Sequence, residues 1–66
     1  MNIRQMKRGM EIFAKYVGED YFLGGAEHDK IFGVAFEDIE SLTLEDAAEL
    51  DELGWFEGDV GWEHHA

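Results

Sequence analysis

The chain has 66 residues, with 16 Asp and Glu against five Lys and Arg, and a formal net charge of −11. This length predicts one domain, residues 1–66. The absence of Cys excludes a disulfide-stapled mini-protein and a Cys-ligated zinc site, and the acidity argues against direct nucleic-acid binding. Apolar runs are too short to cross a bilayer and no signal peptide is visible, so a folded cytoplasmic protein is expected.

Residues 3–17 are predicted to form an amphipathic helix. At about 100° per residue, one set of apolar residues shares a single arc and a mostly basic set lies beside it. The apolar set is Ile3, Met6, Met10, Phe13, Ala14 and Val17, and the adjacent set is Arg4, Lys7, Arg8, Glu11 and Lys15. Gly18 is expected to cap the helix.

Charge is distributed unevenly along the chain. Residues 1–18 hold four basic residues and one acid, a net of +3, whereas residues 19–66 hold Lys30 and fifteen acids, a net of −14. We expect the basic face of the first helix to pack on the acidic remainder of the chain rather than on a membrane.

Two aromatic and β-branched segments are predicted to be antiparallel strands, at residues 21–25 and 31–36. The polar residues 27–30 between them are expected to form a hairpin loop. Residues 37–42 are predicted to be an acidic connector.

A second helix is predicted over residues 44–53, with Thr43 as its N-cap and Gly54 at its end. Its apolar side is expected to carry Leu44, Ala47, Leu50 and Leu53. The aromatic tail, residues 55–62, indicates one strand or a short hairpin. The expected fold is α+β, with a small antiparallel sheet of about three strands packed by two helices, in the order helix-strand-strand-helix-strand.

Catalytic chemistry has little support in these residues. Ser41 and Thr43 are the hydroxyl side chains besides the tyrosines, and no phosphate-binding glycine motif is present. Carboxylates are abundant, but so small a core leaves little room for a water-excluding pocket. We therefore expect no enzyme activity, no catalytic residues and no cofactor.

Metal binding is the next alternative. Residues 27–29 and 63–65 contain ligand types for a divalent cation, and a tail folded back on the hairpin loop would bring them together. Neither cluster has the helical His spacing of a typical site or the pattern of an EF-hand. We expect no metal, and the role of His64 and His65 stays open.

The acidic surface is the strongest functional indication in the sequence. Glu45, Glu49 and Glu52 share one side of the second helix, with neighbouring Cβ atoms about 5–6 Å apart. Such a row has a spacing comparable to that of phosphates and could occupy a basic nucleic-acid groove on a partner, with steering and counterion release. The predicted partner-binding residues are Glu37, Asp38, Glu40, Glu45, Glu49, Glu52, Glu57 and Asp59.

Part of the sequence resembles a group of small acidic prokaryotic and phage proteins. The matching segments are Gly25-Ala26-Glu27-His28-Asp29-Lys30-Ile31, Leu44-Glu45-Asp46-Ala47 and Leu50-Asp51-Glu52-Leu53-Gly54-Trp55-Phe56, within residues 21–62. The size and acidity are similar to those of anti-CRISPR proteins, several of which are acidic DNA mimics. The resemblance implies an inhibitor that blocks target-DNA binding by a CRISPR effector, such as a type I surveillance complex. The tail departs from the group, because it lacks a longer acidic-aromatic segment.

The alternative is an acidic interaction module, such as an antitoxin or adaptor. It would bind a partner through exposed aromatic residues, drawn from Phe22, Phe32, Trp55, Phe56 and Trp62. In either case we expect a monomer or weak dimer that contacts a protein, with no direct contact to nucleic acid or membrane.

Overall fold

The computed structural model describes residues 2–27, 29–39 and 41–65, and in this part of the chain it is an α+β fold with two helices and one four-stranded antiparallel sheet. The helices are α1 (Ile3–Val17) and α2 (Leu44–Glu52). The strands are β1 (Gly25–Glu27), β2 (Lys30–Ala35), β3 (Trp55–Glu57) and β4 (Gly61–His65). A 3₁₀ turn (Phe36–Asp38) follows β2.

The strand order across the sheet is β1-β2-β4-β3, so β4 lies between β2 and β3. Phe32 pairs with Glu63 across β2 and β4, and Glu63 pairs with Phe56 across β3 and β4. The register of β2 and β4 shifts between Phe32 and Ala35. The expected α+β class and two helices are confirmed. The expected count of about three strands and the order helix-strand-strand-helix-strand are wrong, because the tail forms two strands, β3 and β4, after the second helix.

Helix α1 has the predicted bounds and is capped at both ends. The Asn2 side chain accepts from the Gln5 backbone N–H, the Gln5 side chain accepts from the Asn2 N–H, and Gly18 follows with a φ of 86°. This capping box satisfies backbone donors that the first turn leaves unpaired. Ile3 is 87% exposed, contrary to the prediction, because the first helical residue projects beyond the elements that cover the rest of the helix.

The core lies between α1, α2 and the sheet. Phe13 packs edge-to-face on Trp55 with ring centroids 5.1 Å apart, and Leu50 of α2 is fully buried. The buried apolar side chains are Ile12, Phe13, Val34, Ile39, Leu50, Trp55 and Trp62. Leu44 is 89% exposed, so its predicted place in the core is wrong. Like Ile3, it is the first residue of its helix.

The predicted strand at residues 21–25 is also wrong, because residues 21–23 lie outside the sheet. The Tyr21 hydroxyl donates to Asp38 over 2.6 Å, which ties this segment to the 3₁₀ turn, and Phe22 is 93% exposed. Gly25 begins β1 with a φ of 97°, a value that favours glycine. The predicted second strand, 31–36, begins one residue earlier and ends at Ala35.

Candidate functional site

The face of α1 that carries Arg8, Ile12 and Lys15 packs against α2. Arg8 donates from Nε and Nη2 to the two carboxylate oxygens of Glu49, over 2.5 and 2.8 Å. Lys15 Nζ donates to Asp46 over 2.8 Å. Between these pairs lies Ile12, which is fully buried although it falls outside the predicted core arc. Since Arg8, Ile12 and Lys15 are spaced by four and three residues, they share one helix face.

These contacts favour the charged forms of two acids of α2, Glu49 and Asp46. The Arg8 hydrogen bond lowers the pKa of Glu49. Lys15 first, and then the Tyr16 hydroxyl, lower the pKa of Asp46. The partner groups shift in the opposite direction, since Glu49 raises the pKa of Arg8 and Asp46 raises that of Lys15. Each pair therefore stabilises its charged state within the chain.

The N-terminus of α2 is joined to α1 through one tyrosine. Tyr16 donates its hydroxyl to Asp46 and accepts from the Thr43 backbone N–H at 3.2 Å. Thr43 caps the helix as predicted, by accepting from the Asp46 N–H at 3.1 Å. The Asp46 carboxylate thus takes part in the contact between the helices.

The row of three glutamates predicted on α2 is consequently interrupted. Glu49 is bound by Arg8, whereas Glu45 and Glu52 are exposed. Those two glutamates are seven positions apart in sequence, which corresponds to about 10 Å along the helix axis. Glu49 of the predicted row is therefore engaged within the chain, and the role of Glu45, Glu49 and Glu52 in binding a partner stays a prediction. The net charges of the two chain segments predicted that α1 packs on acids, but they did not identify Glu49.

Four other predicted residues come together at one end of the sheet. The Phe36 backbone N–H at the start of the 3₁₀ turn donates to the Val60 carbonyl over 3.0 Å, which joins that turn to the β3–β4 turn. We call the exposed acids on these two turns the acidic end: Glu37, Asp38, Glu57 and Asp59. Glu57 lines a shallow depression with Phe36 and Ile39, beside the 3₁₀ turn. Glu40 lies outside the described residues.

The acidic end keeps its carboxylates at the surface. Asp38 accepts the Tyr21 hydroxyl, and this hydrogen bond raises the pKa of Tyr21 because ionisation would remove the donated proton. The Gly58 backbone N–H donates to the Gly61 carbonyl over 2.8 Å, which closes the β3–β4 turn. This turn contains Asp59 and directly follows Glu57. These backbone and side-chain bonds fix the segments that carry the acids.

The tail folds back along β2, and both of its histidines pack against aromatic rings. Lys30 pairs with His65 in the sheet, and His65 packs against Phe56. The ring of His64 is buried against Trp55, with Nε2 2.9 Å from the Leu53 carbonyl oxygen. Across residues 2–27, 29–39 and 41–65, no group of three or more His, Cys, Asp or Glu could hold a metal ion. His28 of the predicted cluster lies outside these residues.

Glu63 has a structural contact that no motif in the sequence predicts. It is 7% exposed and lies opposite Phe32 and Phe56 in the sheet. Lys30 Nζ approaches it to 3.5 Å. An acid between two aromatic neighbours requires such a cation to offset the loss of water.

The aromatic residues of the alternative hypothesis divide into two groups. Trp55 and Trp62 are core residues with exposures of 1% and 5%, so they are unsuited as surface anchors in this fold. Phe22 is 93% exposed, and Phe32 and Phe56 are half-buried. An aromatic contact with a partner would therefore centre on Phe22.

No protein-family model, curated protein or solved structure matches this chain. In the described part of the chain, neither helix has the length and apolar content needed to cross a membrane.

Proposed function

We propose that this protein is a binding inhibitor that presents fixed carboxylates to a basic nucleic-acid groove of a partner and so excludes DNA. It acts in the cytoplasm by binding alone, without catalysis or a cofactor. The observation that carries the proposal is the acidic end, where two turns joined by a backbone hydrogen bond hold Glu37, Asp38, Glu57 and Asp59 at the surface. Fixed carboxylates lose less entropy on binding than flexible ones.

The distribution of paired charges supports the same proposal. Arg8 and Lys15 are engaged by Glu49 and Asp46, so these two cations of α1 do not neutralise the acidic end. The surplus of acids therefore remains available to attract a basic surface from a distance and to release its counterions. The exposed residues Glu45 and Glu52 extend the acidic surface along α2.

We further propose that the partner is a CRISPR effector, with a type I surveillance complex as the first candidate. The resemblance of residues 21–62 to small acidic phage proteins of the anti-CRISPR kind supports this choice of partner. The acidity and the small size of the chain are in keeping with it.

The test measures target-DNA binding by a purified, guide-loaded type I surveillance complex in the presence of this protein. One variant combines Glu37→Gln, Asp38→Asn, Glu57→Gln and Asp59→Asn. A matched control combines Glu11→Gln, Glu19→Gln, Asp20→Asn and Glu27→Gln, which are exposed acids outside the acidic end. Both variants lose the same charge, and Asn at position 38 keeps a side-chain oxygen that can accept the Tyr21 hydroxyl.

We expect wild type and the control to inhibit DNA binding, the acidic-end variant to lose inhibition, and inhibition to weaken steeply with salt. Equal inhibition by both variants would contradict the role of the acidic end. A surveillance complex whose DNA binding is unaffected by wild type would contradict the choice of partner. Glu49→Gln is left out of the series because it would also remove the Arg8 contact between the helices.

A further inference from the structure

An apolar groove opens beside the acidic end, between residues 21–24, β2 and the β3–β4 turn. It has a volume of about 340 Å³, and its side-chain walls are formed by Tyr21, Phe22, Phe32, Val60 and Trp62. Phe22 and Val60, on two separate segments, are 93% and 72% exposed. Most large apolar side chains of this domain are at least partly covered, so two strongly exposed ones around a single groove indicate a contact surface.

The walls of the groove are fixed by hydrogen bonds. Tyr21 is held by Asp38 and by the Ala35 backbone N–H, at 2.6 and 3.4 Å. The Val60 carbonyl accepts from the Phe36 N–H at 3.0 Å. Because both walls are attached to β2 or to the turn that follows it, the groove exists before any ligand binds.

Three acids adjoin the groove lining, one by a hydrogen bond and two as neighbours in sequence, while the lining itself is uncharged. Asp38 bonds the Tyr21 hydroxyl at one wall, Asp59 precedes Val60 at the other, and Asp20 precedes Tyr21. All three acids are exposed. A ligand that fits this arrangement has an apolar side chain for the groove and cationic groups for the acids.

We propose that the groove binds a segment of the partner in which a large apolar side chain is flanked by Lys or Arg. The apolar side chain enters between Phe22 and Val60, and the neighbouring cations meet Asp38, Asp59 and Asp20. The groove thus supplies shape selection that an acidic surface alone lacks. The inference rests on the proposed function in one respect, since both require a cationic partner.

A second copy of this chain is a poorer occupant of the groove. Each copy has a net charge of −11, and pairing two such surfaces brings like charges together. A basic partner instead lowers the repulsion among the acids around the groove. Self-association is retained as an outcome of the test.

The test uses synthetic end-capped peptides of sequence Lys-Arg-Lys-Phe-Arg-Lys, with counterparts that have Leu, Met, Trp or Ser in place of Phe. Binding to the full chain is followed by NMR through backbone amide shifts. Phe22→Ser and Val60→Ser remove the exposed walls. Leu44→Ser and Ile3→Ser are matched controls, because these apolar residues are 89% and 87% exposed outside the groove.

We expect the peptides with an apolar centre to shift amides around residues 21–24, 32–33 and 60–62, and the Ser peptide to bind at least about tenfold more weakly. Phe22→Ser should weaken the binding of the peptides with an apolar centre by a similar factor, whereas Leu44→Ser should bind these peptides as wild type does. Retained amide dispersion shows that each variant is folded.

Three results would overturn the inference: equal binding of the Ser and Phe peptides, shifts confined to acids elsewhere, or a wild-type dimer that Phe22→Ser converts to monomer. The outcome is separable from that of the DNA experiment. Peptide binding in the groove with no effect on DNA binding contradicts the proposed function alone. Loss of DNA binding by the effector, with no groove shifts by any peptide, contradicts this inference alone.

Discussion

The indole of Trp55 packs directly on the backbone of Gly9, so that α1 and the sheet are in contact at a position with no side chain. A Cβ atom on Gly9 would lie 2.5 Å from Trp55 Nε1, well inside van der Waals contact. Trp55 is 1% exposed and also packs on Phe13, so its ring has little freedom to move away.

Gly9→Ala is therefore expected to destabilise the protein. Overpacking typically costs about 1–3 kcal/mol. Helix propensity alone would give the opposite sign, with a gain of about 1 kcal/mol. Urea denaturation of wild type and variant measures the net effect. In a Trp55→Phe background, where the ring is smaller, the same change should cost less, and an equal cost in both backgrounds would show that the contact with Trp55 is not the cause.

Gly54→Ala should be more destabilising than Gly18→Ala. Both glycines follow a helix with positive φ, 95° and 86°, so alanine is strained by about 1–3 kcal/mol at either site. At Gly54 a Cβ would also lie 2.7 Å from His64 Nε2, whereas at Gly18 nothing lies within 4 Å. Thermal or urea denaturation of the two variants isolates the contact with His64, and equal losses would mean that His64 moves aside freely.

Leu50→Ala is expected to lower the free energy of unfolding by about 2–5 kcal/mol, because Leu50 is fully buried. Leu44→Ala, on the same helix, should change it by less than about 0.5 kcal/mol, because Leu44 is 89% exposed. Chemical denaturation at neutral pH compares the two. Similar losses for both would contradict the position of α2 against the core.

The acids of α2 predict a pH dependence of stability. Because the folded-state pKa values of Glu49 and Asp46 are lowered, their contribution is fully present above the unfolded-state values of about 4.3 and 3.9. It is lost as pH falls through the lower, folded-state values.

Glu49→Gln tests this contribution, with Glu52→Gln as a control that removes the same charge from an exposed position. At pH 7 the Glu49 variant should be the less stable of the two. As the pH falls below the lowered, folded-state pKa of Glu49, the difference should disappear. A difference in urea midpoint that persists at low pH would point to a packing role for Glu49 in place of an ionic one.

Local features of the sequence predicted those parts of the fold that depend on local rules. Three predicted features correspond to observed elements: the helical spacing of apolar residues in α1, the N-cap of α2 at Thr43, and the glycine-containing turn of the aromatic tail. The α+β class followed from their order. These features are encoded within a few residues, and the tertiary structure did not override them.

The errors arose where the neighbours of an element decide the outcome. The helical periodicity of the sequence places Glu49 on one side of α2, but only the packing of α1 against α2 brings Arg8 to Glu49. The aromatic residues 21–23 have strand propensity, yet the bond from Tyr21 to Asp38 holds them outside the sheet. The acidic end joins residues about twenty positions apart in sequence, through the register of β2 and β4, which no local pattern contains.

The central position of β4 also has a consequence for biosynthesis. This strand links the β1–β2 hairpin to β3, yet it is translated after all three of those strands. On the ribosome, the earlier segments cannot complete the sheet until residues 61–65 have left the exit tunnel. Assembly of the sheet is therefore delayed until β4 has been synthesised and released from the tunnel. Shortening the chain before Gly61 would leave the β1–β2 hairpin and the single strand β3 with no strand to join them.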